Sequence, residues 1–560
     1  MDKAPSLWIN TVTYSDGTTL TFSQGDIVVF VGPNNSGKSA ALRGKKDKLS
    51  IPASPNPVVK EMFVQSTGSG DDAREWVEQR SKPMPGAEYL YSALDARYNL
   101  DSIKTAWNST TNLQDLARFF YRFMDADSRL SAANPPVNIA LTSGIRQHPI
   151  HYIQADDSLE KLVSNYFFKA FGQELIVHRN AGNEVPLYCG TRPKTGPGRD
   201  RVSIEYLKEL EALPQLHKQG DGMRSFAAIL LNAFTLHFPI VFIDEPEAFL
   251  HPPQARLLGQ MLAKETKAEQ QLFIATHSGD FLRGLIDANR GNVRVVRLRR
   301  ESDMNIVKEL DRQNVQKLWQ DPLLRFSNVL DGLFHEKVII CESDADCKFY
   351  GAVLDALYDA QSGSVKPDVM FIHCGGKHRI PTVVRALQKL GVPLAVVADF
   401  DILHEEQPLH FIYEGLRGTW SEISDDWKLV KNSIEAKKTE TTSEEIKIEI
   451  QSILKRVTDS RFPESEIDEI KQVLKKSSPW SIAKNTGKAF VPSGEPMQAC
   501  NRLCSNLAGY GLFVVEVGEL ERFVPSVGGH GPAWVNAALE KNLLTDPELE
   551  LARKFVRRLI

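Results

Sequence analysis

Two groups of residues in this chain have the types and spacing that handle phosphate. The first is Gly32-Pro33-Asn34-Asn35-Ser36-Gly37-Lys38-Ser39. Its glycines let backbone N–H groups turn inward around phosphate oxygens. A lysine directly after the second glycine reaches the β- and γ-phosphates, and the next hydroxyl ligates Mg²⁺. Gly32, Asn35, Gly37, Lys38 and Ser39 are therefore the candidate ATP-binding residues, with Ser39 also a metal ligand. The second group is acidic and comes in two clusters, around Glu342 and around Asp399-Phe400-Asp401. Carboxylate oxygens are what hard divalent cations prefer. Two such ions about 4 Å apart activate a water and stabilise the leaving oxygen in phosphodiester cleavage.

Both groups need elements that hold them in place. The apolar stretch 26–31 reads as a buried strand running into the glycine loop, and Ala40-Ala41-Leu42 reads as the start of a helix. Strand, loop and helix are the context this motif requires, and the helix N-terminus adds a positive dipole end. Far downstream, Ile240-Val241-Phe242-Ile243 has the continuous apolarity of a central parallel strand and ends in Asp244-Glu245. Acids at such a strand end lie beside the phosphate loop in a doubly wound sheet. Asp244 is expected to hold Mg²⁺ and Glu245 to polarise the attacking water. A further strand, 271–276, delivers His277, placed to sense the γ-phosphate.

The acidic group sits on a second alternation. Strand 338–341 ends in Glu342, a helix follows through Leu357, then strand 369–373, Gly375-Gly376-Lys377, a helix over 380–390, and strand 394–398 ending in Asp399-Phe400-Asp401. This β-α-β-α-β order predicts another parallel-sheet unit with Glu342 and Asp399 at strand C-termini. Alternation along an extended 399–401 segment would put both aspartates on one side.

The first set of motifs resembles the ABC-type ATPase head of SMC-like chromosome and repair proteins. The stretch 244–252 looks like that family's Walker B and D-loop, and His277 matches its switch histidine. The segment 220–225 stands where the signature motif belongs, with Gly222 as its ATP-contacting glycine and Gly220 in place of the usual serine. Gln65 is the candidate Q-loop glutamine. In such heads the signature of one subunit completes the site of another, so the resemblance implies a homodimer or higher homo-oligomer. The second set resembles a Toprim domain. Glu342 matches its glutamate, Asp399 and Asp401 its D-x-D, and Asp346 the further acid four residues on, with Ser343 replacing the usual glycine. The resemblance also implies a later metal-binding acid, for which Glu521 is favoured over Glu519, and a catalytic lysine, for which Lys541 competes with Lys488.

The order of the two modules resembles the OLD family of nucleases, which includes the Gabija anti-phage group. It implies an α/β fold: an ABC-type head at 1–325 with a helical, dimerising insert within about 70–215, then a Toprim domain at 326–560 with a helical insert over about 425–480. It further implies ATP, Mg²⁺ or Mn²⁺ at both sites, DNA cleavage or nicking, and a role against phage or foreign DNA. Glu245, Glu342, Asp399, Asp401 and Lys541 are the catalytic set so implied. Metal ligands are Ser39, Asp244, Glu342, Asp346, Asp399, Asp401 and Glu521. Three rivals stay open: a topoisomerase- or primase-like Toprim reaction, a non-catalytic ATPase scaffold, and an effector that needs a helicase or a retron reverse transcriptase with its DNA.

Composition sets outer bounds. A chain of 560 residues predicts two to four domains at about 150 residues each. The net charge of −4 gives no global basic field, so nucleic-acid binding would rest on local patches, for which 43–48, 294–300 and Lys377-His378-Arg379 are candidates. The six scattered cysteines lack zinc-site spacing and read as core residues of a reducing compartment. No apolar run reaches membrane-span length, and the first residues do not read as a signal peptide, so a cytoplasmic protein without membrane contact is expected.

Overall fold

A computed structural model describes residues 5–93, 96–109, 113–235, 238–288, 291–310, 328–359, 365–437, 443–457, 462–476 and 478–560. The chain divides into two units, Met1–Phe334 and His335–Ile560. The boundary falls nine residues beyond the expected 325. Residues 301–335 read as a bridge between the modules, and of these 311–327 lie outside the described residues.

The first unit is built on a six-stranded sheet in the order Met304–Glu309, Val293–Glu301, Ile27–Val31, Gln271–Ala275, Ile240–Asp244, Tyr121–Met124. All neighbours are parallel except the edge strand Met304–Glu309. Ile27–Val31, Ile240–Asp244 and Gln271–Ala275 are buried at every position, which is why they read as unbroken apolar runs. A three-stranded antiparallel sheet, Thr19–Thr21, Ser6–Tyr14 and Val59–Thr67, shares their core: Ile9, Val12, Tyr14 and Phe22 pack with Phe30, Phe242 and Phe273. The two sheets are also stitched by buried Gln271, which accepts from Ile9 N at 2.9 Å and donates to Ile9 O at 3.0 Å.

The 70–215 region, within which a helical insert is expected, is mixed in structure. It holds helices such as Gly70–Glu78 and Asp157–Phe171, but also the antiparallel meander Lys82–Met84, Ala87–Ala93, Ala96–Asn99 and the hairpin Glu174–Val177 with Leu187–Gly190. The sequence over 112–124 reads as a helical stretch, but from residue 113 the chain forms a 3₁₀ turn, Gln114–Phe119, followed by Tyr121–Met124, the outer strand of the main sheet. Pairing with Ile240–Asp244 overrides the helical pattern there. Near the hairpin, Arg192 Nη1 and Arg201 Nη2 reach buried Glu160 at 2.8 and 2.7 Å.

The second unit carries a four-stranded, all-parallel sheet ordered Val369–His373, Lys337–Cys341, Leu394–Ala398, Leu512–Val514. Phe349, Tyr350 and Leu354 of helix Asp344–Asp359 pack in one core with Ile339, Ala395, Phe513, Trp534 and Phe555. The insert around 425–480 is helical: Ser424–Glu435, Ser443–Arg456, Glu464–Lys476 and Pro479–Thr486. Within it Ile434 and Ile453 are buried, whereas Ile448 and Leu454 face solvent. Among the described residues no helix is long and apolar enough to cross a membrane. All six cysteines are unbridged.

Candidate functional sites

The glycine loop leaves Ile27–Val31 and enters helix Lys38–Ser50. Gly32 and Gly37 have φ of 144° and 90°, and a Cβ on Gly32 would lie 2.1 Å from the Leu298 carbonyl oxygen. Only glycine fits there. Lys38 Nζ donates to the loop's own carbonyls, Gly32 O at 2.8 Å and Pro33 O at 2.7 Å. Burial, opposed by Glu245 and Glu247, lowers its pKa to about 8. An ammonium held by carbonyls inside a nest of N–H groups is positioned to exchange them for phosphate oxygens. Ser39 Oγ donates to Asp244 Oδ1 at 2.8 Å, which brings the two expected Mg²⁺ ligands together across the sheet. Burial raises the Asp244 pKa.

Glu245 follows with φ 49°, its N–H bound to Ala275 O at 2.9 Å. Its carboxylate is exposed and lies 3.4 Å from His277 Nε2. Burial, and then Lys38, lower the His277 pKa, so the ring is neutral at pH 7. Glu247 accepts the His277 N–H at 2.6 Å through Oε1, while its buried Oε2 has no partner.

Two buried residues that the sequence analysis did not single out hold this site. Arg129 donates to Ser225 Oγ at 2.9 Å, Asp244 O at 2.5 Å and Glu245 O at 3.0 Å. It ties helix Asp221–Thr235 to the acidic strand end. Asn305, on the antiparallel edge strand, donates to Ser36 O at 2.7 Å and clamps the phosphate loop. No motif marks either residue; each acts through contacts made far away in sequence. Gly222 packs under the Phe249 carbonyl, which a Cβ would meet at 2.5 Å. Gln65 does not follow a strand but lies exposed inside Val59–Thr67, paired with Trp8.

In the second unit Glu342 and Asp399 end the two adjacent central strands, Lys337–Cys341 and Leu394–Ala398. Carboxylate oxygens of Glu342, Asp399 and Asp401 lie within 4.8 Å of one another. Asp401 does not reach this cluster by strand alternation. It sits in the 3₁₀ turn Phe400–His404, which curls back after Asp399. Glu342 Oε1 accepts the Asp399 N–H at 3.1 Å. Burial, then Asp401, push Glu342 up to about 7, and burial, then Glu342, hold Asp399 well above the usual carboxylate range. Asp401 Oδ1 is buried without a hydrogen-bond partner. Crowded, partly desolvated carboxylates with a spare oxygen fit a hard divalent cation, which would remove the repulsion.

The lysine at this cluster is Lys484, and the sequence analysis missed it. Its Nζ lies 3.3 Å from Asp399 Oδ2 and 3.9 Å from Asp401 Oδ2. Burial opposes its charge, but Asp399, Asp401 and Glu342 raise its pKa overall. Lys541 is engaged elsewhere, with Glu548 at 2.7 Å and Asp546 at 3.5 Å, and Lys488 pairs with Glu516 at 2.7 Å. The competing Lys488 lies one turn beyond Lys484, but helix Pro479–Thr486 ends between them and turns the later lysine away. Asp346 stands near Glu342 and Asp399, and Glu521 stands near Asp346. Asp346 Oδ2 accepts from Ser343 N and Oγ at 2.8 and 2.9 Å, Glu521 Oε1 accepts from Gly531 N at 3.0 Å, and the Glu521 charge helps raise the Asp346 pKa, after burial as the main cause.

The basic patches also resolve. Lys45 and Lys48 are buried, the first under the rings of Tyr14 and Phe30, the second on the carbonyls of Pro52 and Ser54. Arg294 is buried on Asp26 and Glu309, and Arg297 is buried as well. Neither 43–48 nor 294–300 is a continuous basic surface. Lys377 sits at the acidic cluster, 3.2 Å from Asp401 Oδ2 and 2.9 Å from Glu405 Oε1.

Comparison with known proteins adds two matched domains. A family model described as an AAA domain of the AbiEii toxin, type IV TA system, matches residues 99–283. One described as the TOPRIM domain of overcoming lysogenization defect protein-like chains matches residues 333–401. The Old nuclease of Escherichia phage P2 is 25% identical over 172 residues, 29% of this chain and 28% of that protein. The OLD nuclease of Thermus scotoductus is 29% identical over 170 residues, 29% of this chain and 31% of that protein. The chain thus spans less than a third of the length of these relatives. Among solved structures, an Smc head bound to the C-terminal winged-helix domain of ScpA overlaps 55% of this chain and 99% of its own at 13% identity and a TM-score of 0.32. The SMC head of Thermotoga maritima overlaps 55% and 98% at 14% identity and a TM-score of 0.25.

Proposed function

We propose that this chain, which joins an AAA-type ATPase domain to an OLD-like Toprim domain, is an ATP-regulated, divalent-metal-dependent DNA endonuclease of the OLD kind. The observation that carries the proposal is the triad Glu342, Asp399 and Asp401 with Lys484 beside it. Mg²⁺ or Mn²⁺ held by the triad, with Asp346 and Glu521 available to a second ion, would supply Lewis acidity and an activated water. The protein's own contribution is placement: adjacent strand ends fix Glu342 and Asp399, the 3₁₀ turn brings Asp401, and Lys484 adds positive charge where a phosphorane would gather negative charge.

In the ATPase unit Lys38 and the loop N–H groups would hold the phosphates, Ser39 and Asp244 the metal, and Glu245 the attacking water, with His277 beside it. Gly222 would contact ATP bound to a second subunit, making the active form a homodimer or larger. Closure of the signature helix would reach Asp244 and Glu245 through Arg129. The biological role we propose is defence against phage or foreign DNA, as in the Gabija group that the domain order resembles.

The test is cleavage of plasmid and phage DNA with Mg²⁺ or Mn²⁺, with and without ATP, by wild type, Asp399→Ala and Glu245→Gln. Cutting that disappears in Asp399→Ala supports the nuclease, and the ATP lanes give the sign of regulation. No cutting under any condition sinks the stand-alone nuclease and favours an effector that needs a helicase or a retron reverse transcriptase with its DNA.

A further inference from the structure

A cavity of about 720 Å³ opens beside the acidic cluster in the second unit. It is built in part on the turn that carries Asp401 and on the turn whose Lys377 contacts Asp401. Lys377–Arg379 supplies His378, and Phe400–His404, which holds Asp401, supplies His404 and leads into Glu405. Helix Ile380–Lys389 contributes Arg385, helix Glu406–Gly415 contributes Phe411, and helix Ser424–Glu435 contributes Lys431. Lys377 joins cavity and cluster directly, since its Nζ contacts both Glu405 and Asp401.

The wall chemistry is that of a phosphate-and-base ligand. Glu405 is already neutralised by Lys377 at 2.9 Å and faces His378 at 3.7 Å. That leaves Glu406 as the wall's other acid, against Arg385 and Lys431. Arg385 has no carboxylate partner among the described residues. Its guanidinium stacks 4.7 Å from the Phe411 ring, which is 39% exposed. His404 lines the cavity and lies against Trp480 at 5.0 Å. Cations beside partly exposed aromatic rings are how proteins hold unpaired nucleotides, the cations taking phosphates and the rings taking bases.

We propose that this cavity binds the single-stranded part of the nucleic acid next to the bond being cut, with Arg385 and Lys431 on phosphates and Phe411 under a base. The proposal rests on reading the acidic cluster as a phosphodiesterase centre. It makes the enzyme prefer flaps, gaps or frayed ends over closed duplex, because the base must leave its stack to reach Phe411.

The experiment uses the full chain with Arg385→Gln, Lys431→Gln and Phe411→Ala, each checked by thermal melting. Binding of a labelled single-stranded oligonucleotide is followed by anisotropy, with AMP as competitor. Hydrolysis of bis(p-nitrophenyl) phosphate, too small to fill the cavity, is followed with Mn²⁺. Each cation removed is expected to weaken oligonucleotide binding about 10-fold and to reduce the log–log salt slope by roughly 0.7. Phe411→Ala is expected to weaken it about 5- to 100-fold. Hydrolysis of the small diester should not change. Unaltered oligonucleotide affinity and salt slope in all three variants overturns the proposal, as does AMP binding more tightly than the strand. A wild type that binds oligonucleotide but hydrolyses neither substrate refutes the phosphodiesterase reading alone.

Discussion

Lys484 Nζ lies 3.3 Å from Asp399 Oδ2 and 3.9 Å from Asp401 Oδ2, delivered by the last helix of an inserted helical segment. The backbone around it is locked tightly. A Cβ on Gly518 would stand 2.3 Å from the Lys484 carbonyl oxygen, and Gly518 O accepts the Phe400 N–H at 2.7 Å. One glycine therefore sets the lysine helix against the turn that carries the aspartates.

Replacing Lys484 by alanine should cost about 100-fold in DNA cleavage, the usual scale for losing one preorganised charge from a transition state. Lys541→Ala should stay within about 2-fold, because its partners Glu548 and Asp546 are none of the triad acids. Steady-state cleavage of a labelled duplex measures both, and equal losses would argue against the assignment.

The triad should be a net liability without metal. Adding Mn²⁺ to about 100 times its Kd should raise the melting temperature of the second unit by about 5 °C. Asp401→Asn, which removes one of the mutually repelling charges, should leave the metal-free melting temperature equal or higher and abolish most of the Mn²⁺ shift. Scanning calorimetry with Mn²⁺ and with EDTA reads both values; an undiminished shift in the variant would place the ion elsewhere.

At the ATPase site, Glu245→Gln should bind nucleotide normally and lose turnover by at least about 100-fold, as expected when a general base is removed. Asn305→Ala should do the opposite. It frees Ser36 O and loosens the loop, so affinity for a fluorescent ATP analogue should fall about 10-fold, the scale of one lost buried hydrogen bond. Stopped-flow binding alongside phosphate release separates the two effects.

His148 offers a pH signature. Burial, with smaller contributions from His151 and Arg122, lowers its pKa to about 4. The folded state thus prefers the neutral ring while the unfolded chain titrates near 6.5. Stability is fully present above about pH 6.5 and is lost as pH falls toward 4, because the unfolded state then binds the extra proton. His148 Nδ1 caps helix Pro149–Ala155 by accepting from Ile150 N, a role asparagine can fill. Melting curves of His148→Asn should therefore be flatter over that window; an unchanged slope would mean another group carries it.

The phosphate loop, Asp244, Glu342 and Asp399 were legible in the sequence because each sits at the end of a fully apolar strand, a local pattern. Lys484, Arg129 and Asn305 were not. Their work depends on side chains far away in the sequence, and nothing beside them repeats or alternates. Composition misled where charge was buried. Lys45 and Arg294 looked like surface charge, yet one lies under aromatic rings and the other between carboxylates. Tyr121–Met124 was misread because its partner strand, over a hundred residues away, decides its conformation.

The order in which the second sheet is completed has a consequence for biosynthesis. Glu342, Asp399 and Asp401 leave the ribosome early, but Lys484 and the strand Leu512–Val514, which pairs with Leu394–Ala398, follow only after the inserted helices. Until those arrive, the carboxylates have Lys377 beside Asp401 but lack Lys484, and they stand beside an unfinished sheet edge. If the cluster is the phosphodiesterase centre proposed above, a partly made chain lacks Lys484 and its sheet neighbour, so cleavage would await synthesis of the residues through Val514.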